Sequence, residues 1–110
     1  MLFNYGQQTT AIATKSAVAT STSLSVGTTS QQIFAPDPTR CEWLILNPSS
    51  NAGLLYAGFG SGAISTTTAV VAIAPGQIWR QFGDSAKAEL RGLSLSAAAQ
   101  NYGVSQIILI

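Results

Sequence analysis

Four carboxylates, Asp37, Glu42, Asp84 and Glu89, make up the whole acidic inventory of a 110-residue chain with no histidine and one cysteine, Cys41. Two carboxyl groups flanking a bond are the minimum for glycoside hydrolysis, and Asp84 with Glu89 is the pair that would serve as a minimal glycosidase or lyase. Against it, Glu89 and Arg91 share a strand face and offset each other's charge, and Asp37 is held in a turn between Pro36 and Pro38. Without histidine there is no Ser-His-Asp or Cys-His relay. A lone thiol gives neither a transition-metal site of the usual kind nor an intrachain disulfide. The inventory therefore predicts no enzyme, with no catalytic residue, no metal and no cofactor.

Binding chemistry is more promising. The run Gly58-Phe59-Gly60-Ser61-Gly62 has the composition of a phosphate-cradling loop. Such loops need a helix behind them to aim amides and dipole at the phosphate. Here Ser65-Thr66-Thr67-Thr68 and a β-type segment follow, which makes an inter-strand loop the better reading. The five basic residues, Lys15, Arg40, Arg80, Lys87 and Arg91, are scattered and form no stripe, so nucleic acid is not an expected partner. Three aromatics are candidates for protein contact. Trp79 lies between Gln77 and Gln81 on one face of its segment, with Ile78 and Phe82 on the other. Trp79 is thus either an interface anchor on a polar face or a core residue of a strand covered on both sides. Phe3 and Tyr5 either dock into a neighbour's groove or fold back on their own domain. A second way to use aromatics is as a sugar platform, for which Trp79, Tyr56 and Tyr102 are the candidates.

The elements that must position these groups are β throughout. In residues 22–26, Leu24 and Val26 share one face and Ser23 and Ser25 the other. Residues 31–35 form a second strand, ended by Pro36-Asp37-Pro38. Residues 41–46 are apolar on both faces and suit a central strand. Turn chemistry fills residues 47–53. Short strands follow at 54–57, 69–73 and 77–82, with Pro75-Gly76 matching a type II turn. In residues 88–96, Leu90 is out of phase with Leu93 and Leu95, which predicts a β-bulge at Gly92. The alternative is a short helix over 85–91, capped by Asp84 and ended by Gly92. The last strand, 103–110, ends in four apolar residues and must lie centrally to be protected. About eight short antiparallel strands at this spacing predict an all-β fold, a β-sandwich or jelly roll.

Residues 21–110 form the β-sandwich domain, and residues 1–20 are set apart as an N-terminal extended arm. The arm is low in large apolar groups and rich in Gln, Thr and Ala, so it is either ordered only on a partner or a plain tail. Only 8% of residues are charged, against roughly 25% in ordinary soluble proteins. A surface of Ser, Thr, Gln, Asn, Gly and Ala loses little hydration when subunits meet, and its low charge gives little mutual repulsion. The first residues lack the basic and apolar regions of a signal peptide, and no apolar run nears the ~20 residues that span a bilayer. A soluble chain made in a reducing cytoplasm, with no membrane partner, is the expectation.

Particular stretches carry a resemblance. They are Thr28-Thr29-Ser30-Gln31-Gln32-Ile33, Arg40 ahead of Trp43-Leu44-Ile45-Leu46-Asn47-Pro48-Ser49, Leu55-Tyr56-Ala57-Gly58-Phe59-Gly60, and Ala74-Pro75-Gly76. Together they are similar to small β-sandwich structural proteins of tailed bacteriophages, over about residues 22–110. The resemblance implies a virion protein such as a capsid decoration, or cement, protein. Proteins of that kind act as homo-oligomers, dimers or trimers, and bridge the major capsid protein on the capsid surface. A carbohydrate- or receptor-binding module of a phage tail or fibre is the alternative, and a host surface or pilus subunit a more distant one.

Overall fold

The computed structural model describes residues 16–96 and 98–109. Eight strands run in chain order: β1 (Ala17–Val26), β2 (Gln31–Phe34), β3 (Arg40–Leu46), β4 (Leu55–Phe59), β5 (Val71–Ile73), β6 (Ile78–Phe82), β7 (Leu90–Ser94) and β8 (Gln100–Leu109). A first sheet has the order β1-β8-β3-β6 and a second the order β2-β7-β4-β5, and every pairing is antiparallel. Strand 1 pairs with 8, 2 with 7, 3 with 6 and 4 with 5, alternating between sheets. That nesting is a long hairpin rolled onto itself, the eight-stranded jelly roll.

The core follows from alternation along each strand. In β3, Trp43 and Ile45 point between the sheets and are fully buried, while Glu42, Leu44 and Leu46 point outward and are half-buried. Across the gap stand Leu55 and Ala57 of β4, Ile73 of β5 and Leu90 of β7, with Tyr102 and Val104 of β8 completing the filling. At one end Phe34, Trp43, Phe59 and Trp79 form an aromatic cluster in which Trp79 meets Trp43 edge-on at 4.7 Å. The Pro75-Gly76 turn is as expected, with Gly76 at φ 88° and the Gln77 amide donating to the Ala74 carbonyl at 2.9 Å.

The bulges lie elsewhere than the sequence suggested. β7 pairs with β4 without a break through Gly92, and the phase change needs no extra residue, because Leu90 faces the core while Leu93 is buried on the opposite face. Gly92 has a different task. A Cβ there would come within 2.5 Å of Ile33 Cδ1 and 3.1 Å of the Tyr56 carbonyl oxygen. The bulge that accommodates this crowding is in β2, where Gln32 and Phe34 pair with Arg91 and Leu90 and leave Ile33 over. The alternative of a helix over 85–91 is not found either: residues Gly83–Lys87 form a 3-10 turn with Asp84 inside it and no side-chain cap, and Leu90–Gly92 belong to β7.

A second bulge, at Cys41, lies between the pairs Arg40↔Ile108 and Glu42↔Ile107. It turns Arg40 inward, where the residue is only 3% exposed. Its Nε donates to Gln106 Oε1 at 2.8 Å and Nη1 to the Ala86 carbonyl at 2.9 Å; Nη2 donates to the Ala35 carbonyl, and the guanidinium lies 5.0 Å over the Phe34 ring. Burial pulls its pKa down, and the charge of Asp37 partly restores it. One cation thus ties β3, β8, the 3-10 turn and the β2–β3 loop together. At the opposite end Asn47 is fully buried, its Nδ2 donating to the carbonyls of Gly53 (3.0 Å) and Ile73 (2.8 Å). Both polar groups act as struts that satisfy loop carbonyls.

Candidate assembly surface

The outward face of the first sheet is built in rows set by strand register. One row is Ala19, Ile107, Glu42 and Phe82; the next is Ser21, Ser105, Leu44 and Arg80; the third is Ser23, Gly103, Leu46 and Ile78. Ile78 is 59% exposed and Phe82 58%. Leu44, Leu46 and Ile107 beside them are half-buried. Small residues on β1 and at Gly103 set the β1 side lower than the Leu44–Leu46 ridge. The result is an open depression of about 180 Å3 lined by Ser21, Thr22, Leu44, Leu46, Gly103, Val104 and Ser105, with no ionisable group in it. The described charges on this face are Glu42 and Arg80, which pair with each other at 2.8 Å, and Arg80 lies over the Phe82 ring at 5.1 Å.

The opposite face of the sandwich is closed. Gly58 of β4 points outward, and a Cβ on it would touch Ile64 Cγ2 at 3.4 Å and the Thr68 carbonyl oxygen at 3.7 Å. The β4–β5 connection is therefore folded across the second sheet. Ser30 straps it down, its Oγ accepting from the Ile64 amide (3.1 Å) and from Arg91 Nε (3.2 Å).

Of the residues singled out from sequence, Trp79 lies on the inner face of β6, half-buried against Trp43 and Phe59. Of the two readings left open for Trp79, the inward one is found, but without cover on both sides of the strand: Trp79 and Gln81 face in, and Ile78 and Phe82 face out. Either parity satisfies alternation, and the aromatic cluster selects the one that buries the largest ring. Phe3 and Tyr5 lie outside the described residues. Tyr102 is 1% exposed and cannot offer a sugar platform, whereas Tyr56 is half-buried on the outer side of the second sheet.

Asp84 and Glu89 do not form a cleft. Asp84 projects fully into solvent from the 3-10 turn and meets Lys87 at 3.1 Å, while Glu89 accepts from Gln32 at 3.0 Å and pairs with Arg91 at 3.4 Å. Asp37 accepts from the Thr39 hydroxyl and amide, which hold its pKa below the ordinary carboxylate value, with Arg40 adding to the effect and slight desolvation opposing it. Among the described residues no three histidine, cysteine or acidic side chains gather as metal ligands, and no helix is long and apolar enough to cross a membrane.

Sequence reasoning missed the exposed pair Ile78 and Phe82. The available signal was that β6 reads apolar at every position except Arg80 and Gln81, so either parity would set at least one large apolar side chain outward. Comparison with known proteins gives no match to a family model, a curated protein or a solved structure. The phage resemblance therefore rests on its motifs alone.

Proposed function

We propose that the chain is a non-enzymatic structural subunit that attaches to other protein subunits through the outward face of its first sheet. The capsid shell implied by the sequence resemblance is the larger assembly we favour, with the protein acting as a decoration or cement subunit against the major capsid protein on the virion surface. The observation that carries the reading is the contrast between the outer face of the first sheet, where Ile78 and Phe82 stand uncovered, and that of the second sheet, which the β4–β5 connection crosses; the other mostly exposed large apolar residues, Val70 and Leu95, lie in connections and on neither sheet. Jelly rolls serve in capsids and in lectins, so the fold is compatible with the reading without selecting it. The mechanism is burial of apolar and weakly hydrated surface at many equivalent lattice sites, where individually modest contacts sum through multivalency. With one ion pair on the face, attachment should depend little on salt.

Co-sedimentation with undecorated capsids tests it. The double variant Ile78→Ser/Phe82→Ser should keep the native thermal midpoint and lose attachment by at least about tenfold, the loss of one large apolar contact's worth of binding. Unchanged attachment of that variant, or no attachment of the native chain, would remove the proposal.

A further inference from the structure

A sandwich of two open sheets has four edges, and three of them are guarded in this molecule. β5 is three residues long, β2 is four residues long and bulged at Ile33, and β6 is five residues long and carries Arg80. Each is a familiar defence against pairing with a foreign strand. The fourth edge, β1, has none. It runs ten residues, Ala17–Val26, in an unbroken register with β8, with no proline, glycine or charged residue. No other described strand pairs with its far side. Near its C-terminal end the Ser25 carbonyl accepts from Gln31 Nε2 at 2.8 Å, which leaves the stretch from Ala17 to Leu24 without a strand on its far side among the described residues.

We infer that β1 is a homophilic edge: it pairs antiparallel with β1 of a second copy, across a two-fold axis, to join two first sheets into one eight-stranded sheet. A second copy is the occupant that the residues favour, for two reasons. A two-fold sets a strand against itself, so any charge near the axis would face its own like, and β1 carries none. The alternation is also self-compatible. With the axis at Ser21, Thr20 stands opposite Thr22, Val18 opposite Leu24, and Ala19 opposite Ser23 of the second copy. β-branched and apolar residues thus meet on one face and small ones on the other, and β-branched and Thr–Thr cross-strand pairs favour such a ladder. The joined sheet carries both apolar outer faces on one side, so the dimer presents a doubled version of the surface proposed above. The dimer itself rests on the edge alone and stands whether or not a capsid is the partner.

Thr20 and Thr22 are exposed, so lysines at both positions can reach water without disturbing the fold while setting like charges across the axis. Light scattering of the full chain at about 100 μM should give twice the 11.4 kDa chain mass. Thr20→Lys/Thr22→Lys and Thr20→Glu/Thr22→Glu should each give the single-chain mass with the native far-UV spectrum and thermal midpoint, and an equimolar mixture of the two should regain the doubled mass. A native chain that stays single, lysine variants that dimerise as the native chain does, or a mixture that fails to pair would each overturn the inference. So would a chain lacking residues 1–15 that dimerises when the full chain does not, because the edge would then be covered by its own N-terminal segment. A dimer that ignores capsids defeats only the proposed function, and a native chain that attaches as a monomer defeats only the dimer.

Discussion

The two outward faces of this sandwich are made from similar material and end differently. Both are sheets with apolar residues among small polar ones: Leu44, Leu46, Ile78 and Phe82 on the first, Tyr56, Leu93 and Ala72 on the second. On the second sheet Leu93 is 5% exposed, the β4–β5 connection lies across Gly58, and Arg91 and Ser30 fasten it. On the first sheet nothing described lies over Ile78 and Phe82. Among the described residues no connection is folded across that sheet's outer face as residues 60–70 are across the second. What closes a sheet face here is therefore the length and anchoring of a loop, and the composition of the face alone does not decide it. A face left apolar without such a loop is available to another molecule.

The sharpest way to break the comparison is to truncate an apolar side chain on each face. Leu93→Ala should lower unfolding free energy by about 2–3 kcal/mol, since it empties a filled site. Ile78→Ala, mostly exposed, should change it by less than about 0.5 kcal/mol. Denaturant titration of the two variants reads the difference directly, and equal losses would mean that the first face is also packed in solution. A smaller effect comes from filling. Gly58→Val would force Ile64 and the overlying chain to move, for about 1–3 kcal/mol. Gly103→Val meets only Leu46 side-chain atoms at 3.6 Å and beyond, so thermal unfolding should hardly shift while the depression beside it is filled.

The smallest effect is in pH. Asp37 is a carboxylate whose folded pKa is depressed, first by the Thr39 hydroxyl, so its contribution is present above the ordinary value of 3.8 and lost as pH falls through the lower folded value. With no histidine in the chain, the thermal midpoint should be flat between about pH 5 and 8 and decline only below about pH 4. Thr39→Val should shrink that decline. A clear midpoint shift between pH 5 and 8 would point to a titrating group that the two faces do not hold.

Much of this architecture was legible in the chain. Eight strands, the Pro75-Gly76 turn, a central β3 with two apolar faces, and a last strand flanked on both sides follow from period-two alternation and turn residues, which are local properties. Strand ends were less legible. β1 begins at Ala17, inside the stretch assigned to an arm over residues 1–20, because Ala, Val, Thr and Ser satisfy a sheet as readily as a tail and only the presence of β8 alongside recruits them.

The candidate surface was the least legible part. Alternation says that residues 78, 80 and 82 share a side but not which side, and it was Trp43, Phe34 and Phe59, brought together from three other strands, that drew Trp79 inward and left Ile78 and Phe82 outside. The bulges at Ile33 and Cys41, and through the latter the inward turn of Arg40, belong to the same class. A bulge resolves a mismatch between two strands distant in the chain, so it cannot be read from either strand alone. Sequence determined where strands form and which residues share a face, through steric rules acting over a few residues. The tertiary structure decided which of the two faces is buried and which strands lie at the edges of the described sheets, because that choice depends on volumes and polar partners supplied from elsewhere in the fold.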